Sequence, residues 1–87
     1  MKMIKKKVGD VCKLSELAVG NIAVIEKISC DSLEIFRHLL DMGITTGVIL
    51  EIKKVAPLGD PVGIKLRGYE LSVRLAELKN VDVRVVR

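Results

Sequence analysis

The stretch Val48-Ile49-Leu50-Glu51-Ile52-Lys53 decides the fold class of this chain. Large apolar side chains occupy every second position from Val48 onward, and two of the three positions between them are charged. A period of two residues is typical of a β-strand that buries one face and leaves the other in water. The stretch therefore predicts a β-strand that packs on a hydrophobic core.

Four further runs on either side of this stretch have the composition of strands. Residues 21–28, 62–67, 69–73 and 81–85 are rich in β-branched or aromatic residues, and their apolar positions tend to alternate with polar ones. Residues 56–61 contain two prolines and a glycine, and proline cannot donate a hydrogen bond within a sheet. We therefore predict five short strands, with a loop at 56–61 between the second and the third.

One helix is predicted between the first two strands. Asp31 or Ser32 can cap its N-terminus, and Gly43 can adopt the left-handed conformation that ends a helix. Single helical turns are predicted at residues 15–17 and 75–78. The apolar residues of the main helix recur at helical spacing and predict a core-facing side composed of Leu33, Phe36, Leu39 and Leu40.

These elements predict the fold class. Five short strands and one helix cannot cover a wide open sheet, and a small barrel hides strand edges while it builds a core. We expect a mainly β fold, a small SH3-like β-barrel of about five strands with one short α-helix. Residues 14–87 are predicted to form this domain, and residues 1–13 a basic N-terminal segment that is either flexible or an edge strand.

Composition limits the class of protein. The 87 residues suffice for one domain, and 49% apolar with 30% charged residues is the balance of a packed core under a solvated surface. The formal charge of +4 comes partly from lysines clustered near the N-terminus. We find no apolar stretch long enough for a signal peptide or a membrane span, so we expect a cytoplasmic protein without membrane insertion.

The chain carries few residues that could perform catalysis. His38 is the sole histidine, and no serine or cysteine stands at a spacing that would make it a catalytic base. Cys12 and Cys30 form no short paired motif and are expected to be free thiols. Aromatic residues make up 2% of the chain, too few for the stacking platforms of single-stranded nucleic-acid binders. The sequence therefore predicts a binding module that is not an enzyme and does not bind nucleic acid.

A divalent metal site is the one ligand site that residue spacing suggests. Glu34, His38 and Asp41 are three and four residues apart on the predicted helix, so neighbouring members share a face. Carboxylate and imidazole groups are suitable ligands for divalent transition-metal ions. The alternative is a solvated helix face that carries charges, and on that interpretation the protein has no cofactor.

Four motifs in fixed order give the chain a family resemblance. They are Leu14-Ser15-Glu16-Leu17-x-x-Gly20, Arg37-x-x-Leu40-Asp41-Met42-Gly43-Ile44-x-x-Gly47, Ala56-Pro57-Leu58-Gly59-Asp60-Pro61 and Arg67-Gly68-Tyr69-x-Leu71-Ser72-x-Arg74. Together they closely resemble the FeoA family over residues 14–86. Thr46, where the family usually has proline, and Glu77-Leu78, where Glu-Ala is common, depart from the pattern.

The resemblance implies a function. Members of the family are SH3-like domains that accompany FeoB, the membrane transporter that carries a GTPase domain and imports ferrous iron. The implied function is a cytoplasmic accessory protein that docks on FeoB and supports its assembly or activity. The same fold occurs at the C-terminus of DtxR-type iron regulators. The alternative is therefore a metal-responsive regulatory module, which would act with another chain because no helix-turn-helix precedes the predicted barrel.

Loops and exposed strand ends are the predicted partner-binding surface. Leu58 at the tip of a proline-bounded loop can dock on a partner or cover the end of the barrel. Arg and Tyr are common interface anchors, whereas an ordinary salt bridge or partial burial are the structural alternatives. Exposed strand edges also leave homo-oligomerisation open. The predicted partner-binding residues are Leu58, Asp60, Arg67, Tyr69 and Arg74.

Overall fold

A computed structural model of the chain describes residues 6–87, and residues 1–5 of the predicted basic segment lie outside the described residues. Six strands form one antiparallel sheet in the order β1-β6-β2-β3-β4-β5. Their bounds are β1 Val11–Lys13, β2 Ile22–Ile28, β3 Ile49–Val55, β4 Val62–Leu66, β5 Tyr69–Val73 and β6 Val81–Val85. The helices are α1 Leu33–Asp41 and α2 Leu75–Leu78, and a 3₁₀ turn spans Leu14–Glu16.

All five predicted strands are present, and the mainly β, SH3-like fold class is confirmed. The sixth strand is β1, whose three residues pair with β6. This strand is too short to show alternation, so the sequence did not decide whether residues 11–13 are flexible or form an edge strand. Within residues 6–87 no ladder joins β1 to β5, so the sheet curls round its core with these two strands as edges.

The core consists of the side chains on the inner face of the sheet. Leu50 and Ile52 of β3 and Ile64 and Leu66 of β4 are each at most 2% exposed. The cross-strand pairs Leu50–Leu66 and Ile52–Ile64 set the register between β3 and β4. Because side chains alternate along a strand, this register sends the intervening residues to the outer face.

Helix α1 begins and ends as its sequence predicts. The Ser32 hydroxyl caps it by accepting a hydrogen bond from the Ile35 N–H at 3.3 Å. At the C-terminus Gly43 has a φ of +86°, and the Ile44 N–H donates to the Leu39 carbonyl at 2.9 Å. This bond returns Ile44 to the core, where it is fully buried.

The predicted buried face of α1 is wrong at two positions. Leu33 is 60% exposed and Leu40 is 39% exposed. The helix packs instead through buried Leu39 with half-buried Ile35 and Met42 beside it. Residues 35, 39 and 42 are spaced by four and three, so they form one stripe, and the 100° turn per residue directs Leu40 away from it.

Candidate partner-binding surface

The loop between β3 and β4 presents Leu58 to solvent. Its side chain is 96% exposed, more than any other large apolar residue of the described chain. The Gly59 N–H donates to the Ala56 carbonyl at 2.7 Å, and the Ala56 N–H donates to the Pro61 carbonyl at 3.1 Å. These bonds close the loop on itself, so Leu58 projects from a restrained turn.

Asp60 anchors this loop to α2. Its Oδ1 atom accepts a hydrogen bond from the Leu75 N–H at 2.9 Å, and its Oδ2 atom lies 3.9 Å from the Arg74 guanidinium. The Leu75 N–H is a free donor at the first turn of α2, and Arg74 provides no side-chain cap. Asp60 therefore supplies the missing acceptor, while the exposed Arg74 side chain keeps most of its surface in water.

A small apolar cavity of about 80 Å³ lies next to this loop. Its lining joins the 3₁₀ turn, the ends of β3 and β4 and the start of α2, and Ser15 is its one residue with a polar side chain among Leu14, Leu17, Val55, Gly59, Val62 and Leu75. Such a cavity suits an apolar side chain and offers few hydrogen-bond partners. The exposed Leu58 and the apolar cavity therefore lie close together at this end of the barrel.

The predicted site residues Arg67 and Tyr69 lie elsewhere. They belong to the β4–β5 hairpin, whose turn residues Arg67 and Gly68 have φ values of +48° and +82°. The whole length of β5 separates Tyr69 from Arg74, which corresponds to ~17 Å for an extended strand. The structure therefore divides the predicted set into a Leu58 group, with Asp60 and Arg74, and a hairpin group.

Tyr69 has a partner within the chain. Its hydroxyl donates a hydrogen bond to the Met42 carbonyl at 2.7 Å, while 46% of the residue remains exposed. This contact joins the hairpin to the end of α1. Arg67 lies beside a groove on the outer face of the sheet and makes no ion pair within residues 6–87.

Glu34, His38 and Asp41 are placed on α1, with their residues exposed. The His38 imidazole contacts the Glu77 carboxylate, which joins α1 to α2. In the part of the chain that the structure describes, no three His, Cys, Asp or Glu side chains are grouped closely enough to hold a metal ion.

The two cysteines are half-buried free thiols. The Cys30 Sγ atom donates to the Ser32 carbonyl at 3.3 Å. Burial raises the pKa of the Cys12 thiol, and the nearby carboxylates of Glu16 and Asp10 act in the same direction against an opposing effect of Lys6. A raised pKa leaves Cys12 protonated at neutral pH and weakly nucleophilic.

One exposed apolar position was not singled out as functional by the sequence pattern. Ile49 falls at a polar phase of the β3 alternation and is 58% exposed on the outer face of the sheet. Its neighbour across the β2–β3 ladder is Val24, which is half-buried. A strand with one solvated face ordinarily has polar residues at its outward positions. An isoleucine at such a position can therefore be recognised from the sequence as a candidate contact residue.

The fold defines a small SH3-like domain, and these surfaces give it exposed apolar residues on a loop and on the outer face of its sheet. This chain belongs to the FeoA domain family, whose model matches residues 12–85. No helix in the described range 6–87 is long and apolar enough to span a membrane.

Relatives of known sequence and structure agree with this assignment. The chain is 32% identical over 75 residues to a fusion of Fe(2+) transport protein A with the Fe(2+) transporter FeoB from Porphyromonas gingivalis. That alignment covers 85% of this chain, which spans only 9% of the length of the fusion protein. A FeoA-like protein of Clostridium acetobutylicum is 34% identical with a TM-score of 0.79, over 97% of this chain and 92% of that one.

Two further structures show how widely the fold is used. The FeoA of Stenotrophomonas maltophilia, a prokaryotic SH3 domain protein complexed with zinc, is 27% identical with a TM-score of 0.71, over 83% of this chain and 88% of that one. The IdeR of T. acidophilum has a TM-score of 0.78 at 18% identity, over 93% of this chain and 37% of that one. At this identity the similarity to IdeR shows a shared fold alone.

Proposed function

We propose that this chain is a non-catalytic, cytoplasmic accessory domain of ferrous iron uptake that binds the FeoB transporter. One observation carries the proposal: a relative 32% identical to this chain is joined to FeoB in a single polypeptide. Fusion holds two domains at a high effective concentration, and a separate chain needs a binding surface to stay at the same partner.

The Leu58 group supports this proposal as a contact surface. Leu58 is almost fully exposed, and its loop is held by internal hydrogen bonds and by the Asp60–Leu75 contact. A restrained loop loses little conformational entropy when it docks, so more of the apolar contact appears as affinity. In this proposal Leu58 enters an apolar site on FeoB, Arg74 lies at the rim, and Asp60 holds the loop in place.

Ferrous iron uptake by cells that lack their own FeoA tests the proposal. We expect wild-type protein to restore uptake and Leu58→Asp to restore much less, because a carboxylate cannot enter an apolar site without losing its hydration. Leu33→Asp is the matched control, since Leu33 is 60% exposed on a different element. Equal uptake with Leu58→Asp and wild type, at equal folded protein levels, would remove Leu58 from the contact surface.

The alternative is a metal-responsive regulatory module that acts with another chain. Its support is the structural likeness to IdeR, which at 18% identity concerns the fold and not the function. No contact among the described residues favours this alternative over an accessory role.

A further inference from the structure

We propose that a row of residues on the outer face of the sheet is a second docking surface, and that it receives an acidic amphipathic helix of FeoB. The row crosses four strands and ends at the hairpin, and we call it the Ile49 row. It comprises Val11, Arg84, Val24, Ile49 and Arg67. This inference rests on the proposed function and adds the chemistry of the partner.

The strand register places these residues side by side. Val11 lies opposite Arg84, Arg84 lies opposite Val24, and Val24 lies opposite Ile49. Leu50 pairs with Leu66, so the next antiparallel step places Arg67 beside Ile49, and both line the same groove. Strands in a sheet are about 4.8 Å apart, so the row is ~19 Å long.

The row is apolar where a solvated face should be polar. Val11 is 62% exposed and Ile49 is 58% exposed, and Val24 between them is half-buried. The neighbouring inward residues Ala23 and Leu50 are fully buried, so the outward direction of Val24 and Ile49 is fixed by the core. Val11 and Ile49 are therefore open to solvent in the described range 6–87. Val24 and Ile49 form an apolar pair with Arg84 on one side and Arg67 on the other, and arginine beside apolar side chains is a frequent composition at interfaces.

Charge decides which partner fits. Within the row Arg84 is paired with Glu26 at 3.5 Å, and beside the row Lys13 is paired with Asp82 at 2.6 Å and Lys53 with Glu51 at 3.6 Å. Arg67 at one end of the row makes no ion pair in the described residues. The row thus presents apolar groups and an unmatched positive charge, which an apolar segment bearing carboxylates complements.

The dimensions of the row favour a helix as the partner. A row of ~19 Å matches about 13 residues of α-helix at 1.5 Å per residue. On the partner helix, residues three and four apart would place apolar side chains over Val24 and Ile49 and a carboxylate near Arg67. A second copy of this domain fits less well, because the row contains no acidic residue that could pair with Arg67.

Binding to purified full-length FeoB in lipid nanodiscs tests this inference. We expect Ile49→Glu to weaken binding at least 10-fold, because it places a carboxylate in the apolar centre. Arg67→Asp should weaken binding several-fold at low salt and less at high salt, since salt screens exposed charges. Aspartate is chosen because it tolerates the positive φ of residue 67 better than glutamate. Leu33→Glu and Lys79→Asp are the matched controls and should bind as wild type.

The outcomes separate this inference from the proposed function. If wild-type protein binds FeoB and both Ile49→Glu and Arg67→Asp bind equally well, with unchanged urea midpoints, the Ile49 row is not a docking surface and the proposed function stands. If wild-type protein does not bind FeoB, the proposed function and this inference are both wrong. A homodimer that sedimentation shows in wild type and not in Ile49→Glu would assign the row to a second copy and overturn the inference.

A photo-crosslinker at position 49 identifies the partner segment. With benzoylphenylalanine in place of Ile49, we expect crosslinks to a helical segment of FeoB that is rich in Asp and Glu. Crosslinks confined to a basic segment, or to lipid, would contradict the proposed chemistry.

Discussion

The Tyr69 hydroxyl donates a hydrogen bond to the Met42 carbonyl at 2.7 Å and thereby closes the space beside the next residue, Gly43. A Cβ atom added at Gly43 would lie 2.7 Å from this hydroxyl oxygen, and the φ of +86° is itself unfavourable for a side chain. One contact thus joins the β4–β5 hairpin to the end of α1 and requires glycine at position 43.

This relationship predicts coupled effects on stability. Tyr69→Phe should lower the free energy of unfolding by about 0.5–1.5 kcal/mol through loss of one hydrogen bond. Gly43→Ala should cost more, because it adds a clash with the hydroxyl to a backbone penalty of about 1–2 kcal/mol. In the Tyr69→Phe background the clash is absent, so Gly43→Ala should cost less there. Urea unfolding of the four proteins measures the coupling, and strictly additive effects would contradict this account.

Asp60 should matter to stability through its acceptor atom. Asp60→Ala is expected to cost about 0.5–2 kcal/mol, because the Leu75 N–H at the start of α2 loses its acceptor. Asp60→Asn keeps an acceptor oxygen and should cost less. Arg74→Gln should change stability by less than about 0.5 kcal/mol, because its ion pair with Asp60 is long and exposed. Thermal or urea unfolding of the three variants distinguishes these costs. A larger effect of Arg74→Gln than of Asp60→Ala would show that the ion pair, and not the hydrogen bond to the Leu75 N–H, is the stabilising contact of Asp60.

Asn21 is the one fully buried polar residue of the described chain. Its Oδ1 atom accepts from the Ala18 and Lys6 N–H groups at 3.1 and 3.3 Å, and its Nδ2 atom donates to the Lys6 carbonyl at 3.1 Å. Asn21→Ala should lower the free energy of unfolding by about 2–4 kcal/mol, because three backbone groups lose a partner. Ser72→Ala on the exposed side of β5 is the control and should stay within about 0.5 kcal/mol of wild type. Equal stability of the two variants would show that the Asn21 contacts contribute nothing.

The raised pKa of Cys12 predicts slow alkylation. In a Cys30→Ser background, iodoacetamide should modify the folded chain more slowly than the urea-unfolded chain at neutral pH, because less thiolate is present. The rate profile of the folded chain should be displaced to higher pH. The folded state favours the protonated Cys12 thiol, because the folded-state pKa lies above the unfolded-state pKa. The contribution of this thiol to the free energy of unfolding is therefore fully present below the unfolded-state pKa and is lost as pH rises through the folded-state pKa. A rate profile displaced to lower pH would contradict the burial described for Cys12.

Local patterns in the sequence predicted most of the fold. The alternation around Leu50 and Ile52 predicted a strand with one buried face, and both residues lie in the core. The Gly43 stop signal also predicted the end of α1 correctly. Such features depend on residues that are close in sequence, so their physical cause is visible in a short window.

The candidate sites were harder to predict because they depend on distant contacts. Asp60 contacts a backbone group fifteen residues away, and Tyr69 contacts one twenty-seven residues away. Neither contact leaves a periodic trace in the sequence. The Ile49 row depends on four strand pairings among five strands, which no single sequence window contains. The sequence therefore grouped Arg67 and Tyr69 with Leu58, although the length of β5 separates the hairpin from Arg74.

Binding of the purified chain to purified full-length FeoB is the most direct test of the central claim. Measured at physiological salt, with and without guanine nucleotide, wild-type protein should bind saturably at one site. Leu58→Asp should bind more weakly, and Leu33→Asp should bind as wild type. Any difference between the nucleotide conditions would identify the GTPase state that the domain prefers. No saturable binding in either condition would contradict the account of this chain as an accessory domain of FeoB.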